Sequence, residues 1–101
     1  MNLVYLPEAR LEVLAAVNYY YECDGGENSL ASDYYRELQK AEQDILDMPD
    51  FWGSVGKEFR RKLMKRFPFG VIYHQLDKKT IEIVAVAHQK RKPNYWAERA
   101  I

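Results

Sequence analysis

Apolar residues recur at helical spacing in the first half of the chain and at strand spacing in most of the second half. Residues 2–6, NLVYL, predict a short strand. Pro7 and Glu8 then favour the start of a helix over residues 8–23, because proline and an acidic side chain both suit a first helical turn. The apolar stripe expected to pack this helix consists of Leu11, Leu14, Ala15, Val17 or Asn18, and Tyr21.

A second helix is predicted over residues 29–47, after the turn CDGGEN, whose two glycines tolerate positive φ. Asn28 or Ser29 can cap its first turn. Its apolar stripe consists of Leu30, Tyr34, Leu38, Ala41, Ile45 and Met48. Two helices joined by so short a turn form a helical hairpin.

After Gly56 the pattern becomes that of strands, predicted over residues 57–65, 69–76 and 80–88. The last two are joined by the polar turn DKKT, so they must run antiparallel. A short helix or turn follows them. The sequence therefore predicts one α+β domain over residues 1–101, with the order β-α-α-β-β-β and the helical hairpin packed on one face of a small, mainly antiparallel sheet.

The formal net charge is zero, but the charge is divided between the two halves. Residues 1–50 carry three basic and eleven acidic side chains, a net of −8, and residues 51–101 carry twelve and four, a net of +8. Such a division indicates an anionic partner for the basic half. The alternative is that the two halves neutralise each other across the fold.

Other classes of protein find little support in the residues. A single cysteine, Cys23, gives no disulfide and favours a reducing compartment. The chain has no apolar run of membrane-spanning length and no secretory signal pattern, so we expect a cytoplasmic protein with no membrane partner. One cysteine and two distant histidines give no metal-ligand spacing, and no glycine-rich phosphate loop follows a strand, so we expect no metal or cofactor.

The chain resembles the RelE/ParE superfamily, the toxins of bacterial type II toxin–antitoxin pairs, often called plasmid stabilisation proteins. The resemblance runs from EARLEVLAAVNYY through LQKAEQDILDMPDFWG and is clearest in FRRKLMKRFPFGVIYHQLDKKTIEIVAVAHQKRKPNYWAER. The matched elements of that last stretch are Arg60-Arg61, Phe67-Pro68-Phe69, Tyr73, the strand IEIVAVAH, Arg91, Pro93, Tyr95-Trp96 and Arg99.

The resemblance implies a growth-inhibiting toxin whose partner is an antitoxin encoded nearby. Some members resemble ribosome-dependent mRNA endonucleases that need no metal, and others poison DNA gyrase without cleaving RNA. We expect mRNA cleavage on the ribosome. The alternatives are a ParE-like, non-catalytic inhibitor of DNA gyrase, and a degenerate, non-toxic member that only binds its antitoxin. One departure favours the alternatives: the endonuclease branch usually has arginine where this chain has Gly70. Either Arg66 substitutes for that arginine from a neighbouring position, or cleavage is weak or absent.

The candidate catalytic residues are His88, Arg91 and Tyr95. His88 ends the most apolar strand, and histidine is the residue type whose unperturbed pKa suits a base or acid near neutral pH. The resemblance places Tyr95 and Arg91 at an aromatic and a basic position of the endonuclease branch. Residues expected to bind RNA or an acidic antitoxin segment are Arg60, Arg61, Lys62 and Arg66.

Each candidate also has a structural alternative. His88 can simply bond a backbone group at the end of its strand, and Tyr95 and Trp96 can cover an exposed edge of the core. His74 is expected to be structural. The functional prediction requires His88, Arg91 and Tyr95, with Arg60 and Arg66 nearby, to share a patch on or beside the sheet face away from the helices.

Overall fold

The computed structural model describes residues 1–26 and 30–99, in which two helices pack on one face of a five-stranded sheet. The elements are β1 (Asn2–Tyr5), α1 (Pro7–Cys23), α2 (Leu30–Asp47), β2 (Gly53–Val55), β3 (Phe59–Leu63), β4 (Phe69–Asp77) and β5 (Thr80–His88). The α+β class and the helical hairpin are confirmed. Of the helices and strands in the described residues, the sequence did not predict β2, a strand of three residues. The predicted caps Asn28 and Ser29 lie outside the described residues.

The strand order is β1-β5-β4-β3-β2, with β1 parallel to β5 and the remaining pairs antiparallel. The register of β4 with β5 shifts in the middle of the pair. Ile72 lies opposite Ala85, whereas Tyr73 lies opposite Ile83, so Val84 is an extra residue in a β-bulge. The bulge puts Val84 and Ala85 on the face away from the helices and returns Val86 to the helix side.

The main core lies between the helices and the sheet. The stripe predicted for α2 is buried at Tyr34, Leu38, Ala41 and Ile45. The stripe predicted for α1 is wrong at Leu11, Leu14 and Tyr21, which are exposed, although Val17 packs against the core as predicted. The helix packs mainly through three smaller residues, Ala9, Val13 and Ala16. Small side chains allow close approach to the sheet, and α1 is apolar on several sides, so periodicity does not single out this face.

A smaller cluster covers the opposite face of the sheet, called here the outer face. It consists of Ile72, Val84, Ala85, Ala87 and Trp96. Trp96 is only 5% exposed, so its predicted role as a cover over the edge of the core is confirmed. It comes from the C-terminal segment, residues 90–99, which is a series of turns rather than a helix. Asn94 adopts a positive φ of 65° there, a conformation that asparagine tolerates.

Within the described residues, neither helix is long and apolar enough to cross a membrane.

Candidate functional site

Glu12, in the middle of α1, binds several polar groups of β5 and the C-terminal segment. Its Oε1 accepts hydrogen bonds from the Val86 amide at 3.0 Å and from Arg99 Nη1 at 3.0 Å. Its Oε2 accepts from the Tyr95 hydroxyl at 2.5 Å, from Arg91 Nη1 at 3.2 Å and from Arg99 Nη2 at 3.2 Å. The Glu12 side chain is only 12% exposed, so its charge is compensated mainly by these donors. We call Glu12, Arg91, Tyr95 and Arg99 the Glu12 cluster.

Both arginines of this cluster lie close to the ring of Tyr95. The guanidinium carbons of Arg91 and Arg99 lie 3.9 and 4.9 Å from the centre of its ring, within the range of cation–π attraction. Burial raises the pKa of Tyr95, as do the hydrogen bond to Glu12 and the negative charge of Glu12, while the two arginines oppose the rise. Tyr95 therefore stays protonated at neutral pH, and its hydroxyl donates a hydrogen bond to the Glu12 carboxylate.

His88 lies at the end of β5 on the side of the helices, against Phe69, with the two ring centres 5.1 Å apart. The expectation that it faces away from the helices is wrong, because the bulge at Val84 reverses the alternation. Its Nδ1 accepts a hydrogen bond from the Lys90 amide at 3.0 Å, which favours the neutral tautomer with the proton on Nε2. His88 therefore closes the turn that leads into the C-terminal segment.

Two grooves meet near His88 and Arg91, which border both of them. The helix-side groove has a volume of about 590 Å³ and is mostly apolar, with walls formed by α1 and the start of β4. The outer groove is smaller, about 80 Å³, and lies over Gly70 and Ala87 on the outer face. Arg61 borders the outer groove from β3.

Arg61, and not Arg66, lies over Gly70. A Cβ atom added to Gly70 would meet Cδ and Cγ of Arg61 at 2.9 and 3.0 Å. The side chain of Arg61 thus fills the space into which a larger residue at position 70 would project. Arg66 instead lies near α2, where its Nη2 is 3.6 Å from Asp33.

Two other predicted binding residues are held by contacts within the fold. Arg60 donates to the carbonyl oxygen of Trp52 at 2.8 Å. Because it pairs with Tyr73, four residues along β4 from the Phe69 that lies opposite His88, it is roughly 14 Å from His88 along the strand direction. Lys62 is only 9% exposed, with its Nζ 3.7 Å from Asp44 and 4.1 Å from the centre of the Trp52 ring.

The structure thus brings Arg91 and Tyr95 together, with His88 beside Arg91, and leaves Arg60, Lys62 and Arg66 elsewhere. The ion pairs Lys62–Asp44 and Arg66–Asp33 join α2 to β3 and to the turn that follows it, so the acidic and basic halves of the chain neutralise each other there. His74 pairs with Glu82 at 2.8 Å across β4 and β5, in keeping with a structural role. Among the described residues, no group of three or more His, Cys, Asp or Glu side chains is placed to hold a metal ion.

Sequence reasoning missed Glu12 and gave Arg99 no role. One signal for Glu12 was present: it lies at helical spacing from Ala9 and Ala16, on the side of α1 that faces the sheet. A carboxylate at such a position needs buried donors. These donors come from residues 74 to 87 positions further along the chain, and nothing in the sequence pattern locates them.

Comparison with known proteins agrees with this fold. A family model, described as the ParE toxin of the type II toxin–antitoxin system parDE, matches residues 3–93. The solved structure of a chromosomal ParDE toxin–antitoxin system from P. aeruginosa has a similar fold, with a TM-score of 0.73 and 19% sequence identity. The alignment covers 87% of this chain and 95% of that chain. No curated protein matches the chain at a significant level.

The molecule is therefore a toxin of a type II toxin–antitoxin pair, and its partner is an antitoxin protein. Within that class the chain belongs to the ParE toxin family. The family match ends at residue 93, so Tyr95, Trp96 and Arg99 lie beyond it while Glu12 and Arg91 lie within it.

Proposed function

We propose that this toxin inhibits DNA gyrase by binding to it and does not cleave RNA. The observation that carries this proposal is the Glu12 cluster, in which a carboxylate of the same chain binds both Arg91 and Tyr95. Membership of the ParE family adds support, because the resemblance links the ParE branch with gyrase rather than with the ribosome.

Cleavage of RNA without a metal requires a base, an acid and cations that stabilise the charge developing on the phosphate. In the Glu12 cluster the hydroxyl of Tyr95 donates to Glu12, and its raised pKa keeps it protonated near neutral pH, so it is not available to accept a proton as a base. About half of the Arg91 side chain is exposed, but its Nη1 donates to the same carboxylate, so a phosphate would have to compete with Glu12 for this arginine. Gly70 supplies no cation. The proposed function therefore treats Arg91 and Tyr95 as residues that hold the C-terminal segment in place.

A second candidate, ribosome-dependent mRNA cleavage, is favoured by the outer groove. Arg61 and Arg91 border this groove, and His88 lies at its end. In this alternative Arg61 takes the place of an arginine at position 70, and His88 transfers the proton. The alternative requires Arg91 to leave Glu12 when a phosphate binds.

The two candidates are separated by the lesion that the wild-type toxin produces. Expression in bacteria should induce the DNA-damage response, and purified toxin should inhibit supercoiling by purified gyrase, while mRNA stays intact. The double variant Arg61→Ala/His88→Ala should retain growth arrest, and Lys78→Ala/Lys79→Ala in the β4–β5 turn is its control. Cleaved mRNA with gyrase unaffected, and loss of growth arrest only in the first variant, would refute the proposal. A chain that is inert in every assay is the non-toxic member that only binds its antitoxin.

For the antitoxin we propose a docking surface on the outer face of β3, where Arg61 and Leu63 are exposed. An acidic segment can pair with Arg61 there and cover Leu63. Arg61→Glu should weaken co-purification with the antitoxin, more strongly at low salt than at high salt. Lys57→Glu, also an exposed cation, is the control. Binding that survives Arg61→Glu unchanged at both salt concentrations would contradict this surface.

A further inference from the structure

One edge of β5 is only partly covered by a neighbouring strand. The parallel pair with β1 ends where Tyr5 lies opposite Ile83, and the Leu6 amide adds a last bond to the Ile83 carbonyl at 2.9 Å. Within the described residues, no strand pairs with β5 on this side from Val84 to His88. An unpaired edge of this kind invites another strand to add to the sheet.

Groups outside the sheet bind the backbone of this edge at every second residue. Arg99 Nη1 donates to the Val84 carbonyl at 3.1 Å, and Glu12 Oε1 accepts from the Val86 amide at 3.0 Å. The Arg91 amide donates to the His88 carbonyl at 3.0 Å. The positions alternate because successive residues of a strand direct their backbone groups to opposite edges.

Side chains hold the C-terminal segment in this place. Among the described residues, the backbone from Lys90 to Arg99 bonds to the sheet only at His88, where the Lys90 amide donates to Nδ1 and the Arg91 amide to the carbonyl oxygen. Its other backbone bonds are internal. Trp96 anchors it on the outer face, while Arg91, Tyr95 and Arg99 reach around the edge to Glu12. The arrangement therefore depends strongly on a single carboxylate.

We propose that Glu12 and residues 90–99 form an edge cover, which prevents the β5 edge of one molecule from pairing with the β5 edge of a second copy. The uncovered segment would be VAVAH, a β-branched and uncharged sequence of the kind that pairs readily. An antiparallel pair centred on Val86 would be two-fold symmetric, so the same edge would serve both copies. Each copy would use for pairing the Val86 amide that Glu12 now binds.

The direct test is the mass of Glu12→Ala/Arg99→Ala in solution, measured by size-exclusion chromatography with light scattering. We expect this variant to have about twice the mass of the 11.9 kDa chain. The control is Glu8→Ala/Arg10→Ala, which removes exposed charges from the same helix. Wild type and this control should share one mass, lower than that of Glu12→Ala/Arg99→Ala. Adding His88→Pro should return the first variant to the wild-type mass. The amide of residue 88 faces the edge, so proline blocks an incoming strand without removing a bond to β4.

A folded Glu12→Ala/Arg99→Ala variant with the wild-type mass would overturn the proposal. If that variant does not fold, hydrogen exchange on the wild-type protein and on Glu12→Gln decides. At a protein concentration where Glu12→Gln has the wild-type mass, the Val86 amide should be protected in wild type and exchange about tenfold faster or more in the variant, because that amide loses a charged acceptor. Unprotected exchange at Val86 in wild type would also overturn it. None of these measurements involves gyrase or RNA, so their outcome is independent of the proposed function.

Discussion

Replacing Glu12 by alanine should cost roughly 3 kcal/mol of unfolding free energy, a large loss for one helical residue. The substitution leaves the Arg99 guanidinium, only 17% exposed, without its carboxylate, and removing one partner of a buried pair costs about 3–5 kcal/mol. We take the lower end because Arg99 keeps its bond to the Val84 carbonyl. Arg91 is 55% exposed and adds only about 0–1 kcal/mol, which the higher helix propensity of alanine partly offsets.

The loss is measured by urea unfolding followed by tryptophan fluorescence, since Trp96 is buried beside the Glu12 cluster. At about 4–8 °C per kcal/mol for a domain of this size, the melting temperature should fall by roughly 12–24 °C. The control is Glu8→Ala, an exposed acid in the first turn of the same helix, whose loss should cost about 0.3–1 kcal/mol. If Glu12→Ala costs no more than Glu8→Ala, the reasoning about the Glu12 cluster is wrong.

Three further predictions concern other parts of the molecule. Burial raises the pKa of Tyr73 to about 12 and also raises the pKa of Tyr95. The unfolded chain therefore loses these protons at lower pH than the folded one, so the unfolding free energy should be highest below pH 10 and fall above it. Unfolding free energies that stay constant from pH 9 to 11 would contradict this. Lys62→Ala should lower the free energy of urea unfolding by about 2 kcal/mol, because the side chain is buried against the Trp52 ring and Asp44. Lys62→Met should recover much of this loss, and equal losses for the two variants would show that only the charge of Lys62 matters. Gly70→Ala should change stability by less than about 1 kcal/mol, since the flexible Arg61 side chain can move aside, and a loss above about 2 kcal/mol would mean that Arg61 is fixed in place.

The fold follows from the sequence because its signals are local. The two glycines after α1, the turn before β5 and the β-branched strands each determine structure within a few residues. The error on α1 has a physical cause: Leu11 and Leu14 are larger apolar residues than Ala9 and Ala16, yet the smaller ones pack against the sheet. Periodicity measures apolar character, whereas packing of a helix on a sheet also depends on how closely the two can approach.

The candidate site was less accessible to sequence reasoning. The approach of Arg91 to Tyr95 could be anticipated, since they are four residues apart in one short segment. The role of Glu12 could not, because a single acidic residue in a helix has no distinctive pattern until the opposite strand is in place. Lys62 shows the converse error: a cation in a basic run looks available for a partner, but the alternation of β3 turns its side chain towards Trp52 and Asp44.

The bulge at Val84 also affects how this toxin should be compared with its relatives. β5 holds one residue more than a regular strand needs, and the bulge absorbs it, so counting alternate residues from Ile81 assigns Val86 and His88 to the wrong side of the sheet. A relative that lacks one residue at the bulge would keep its later residues on the same sides as here. If the sequence alignment with such a relative places the gap after the bulge, His88 is matched with a residue on the opposite face of the sheet. Equivalent positions at the end of this strand are therefore defined by counting back from the C-terminal turn.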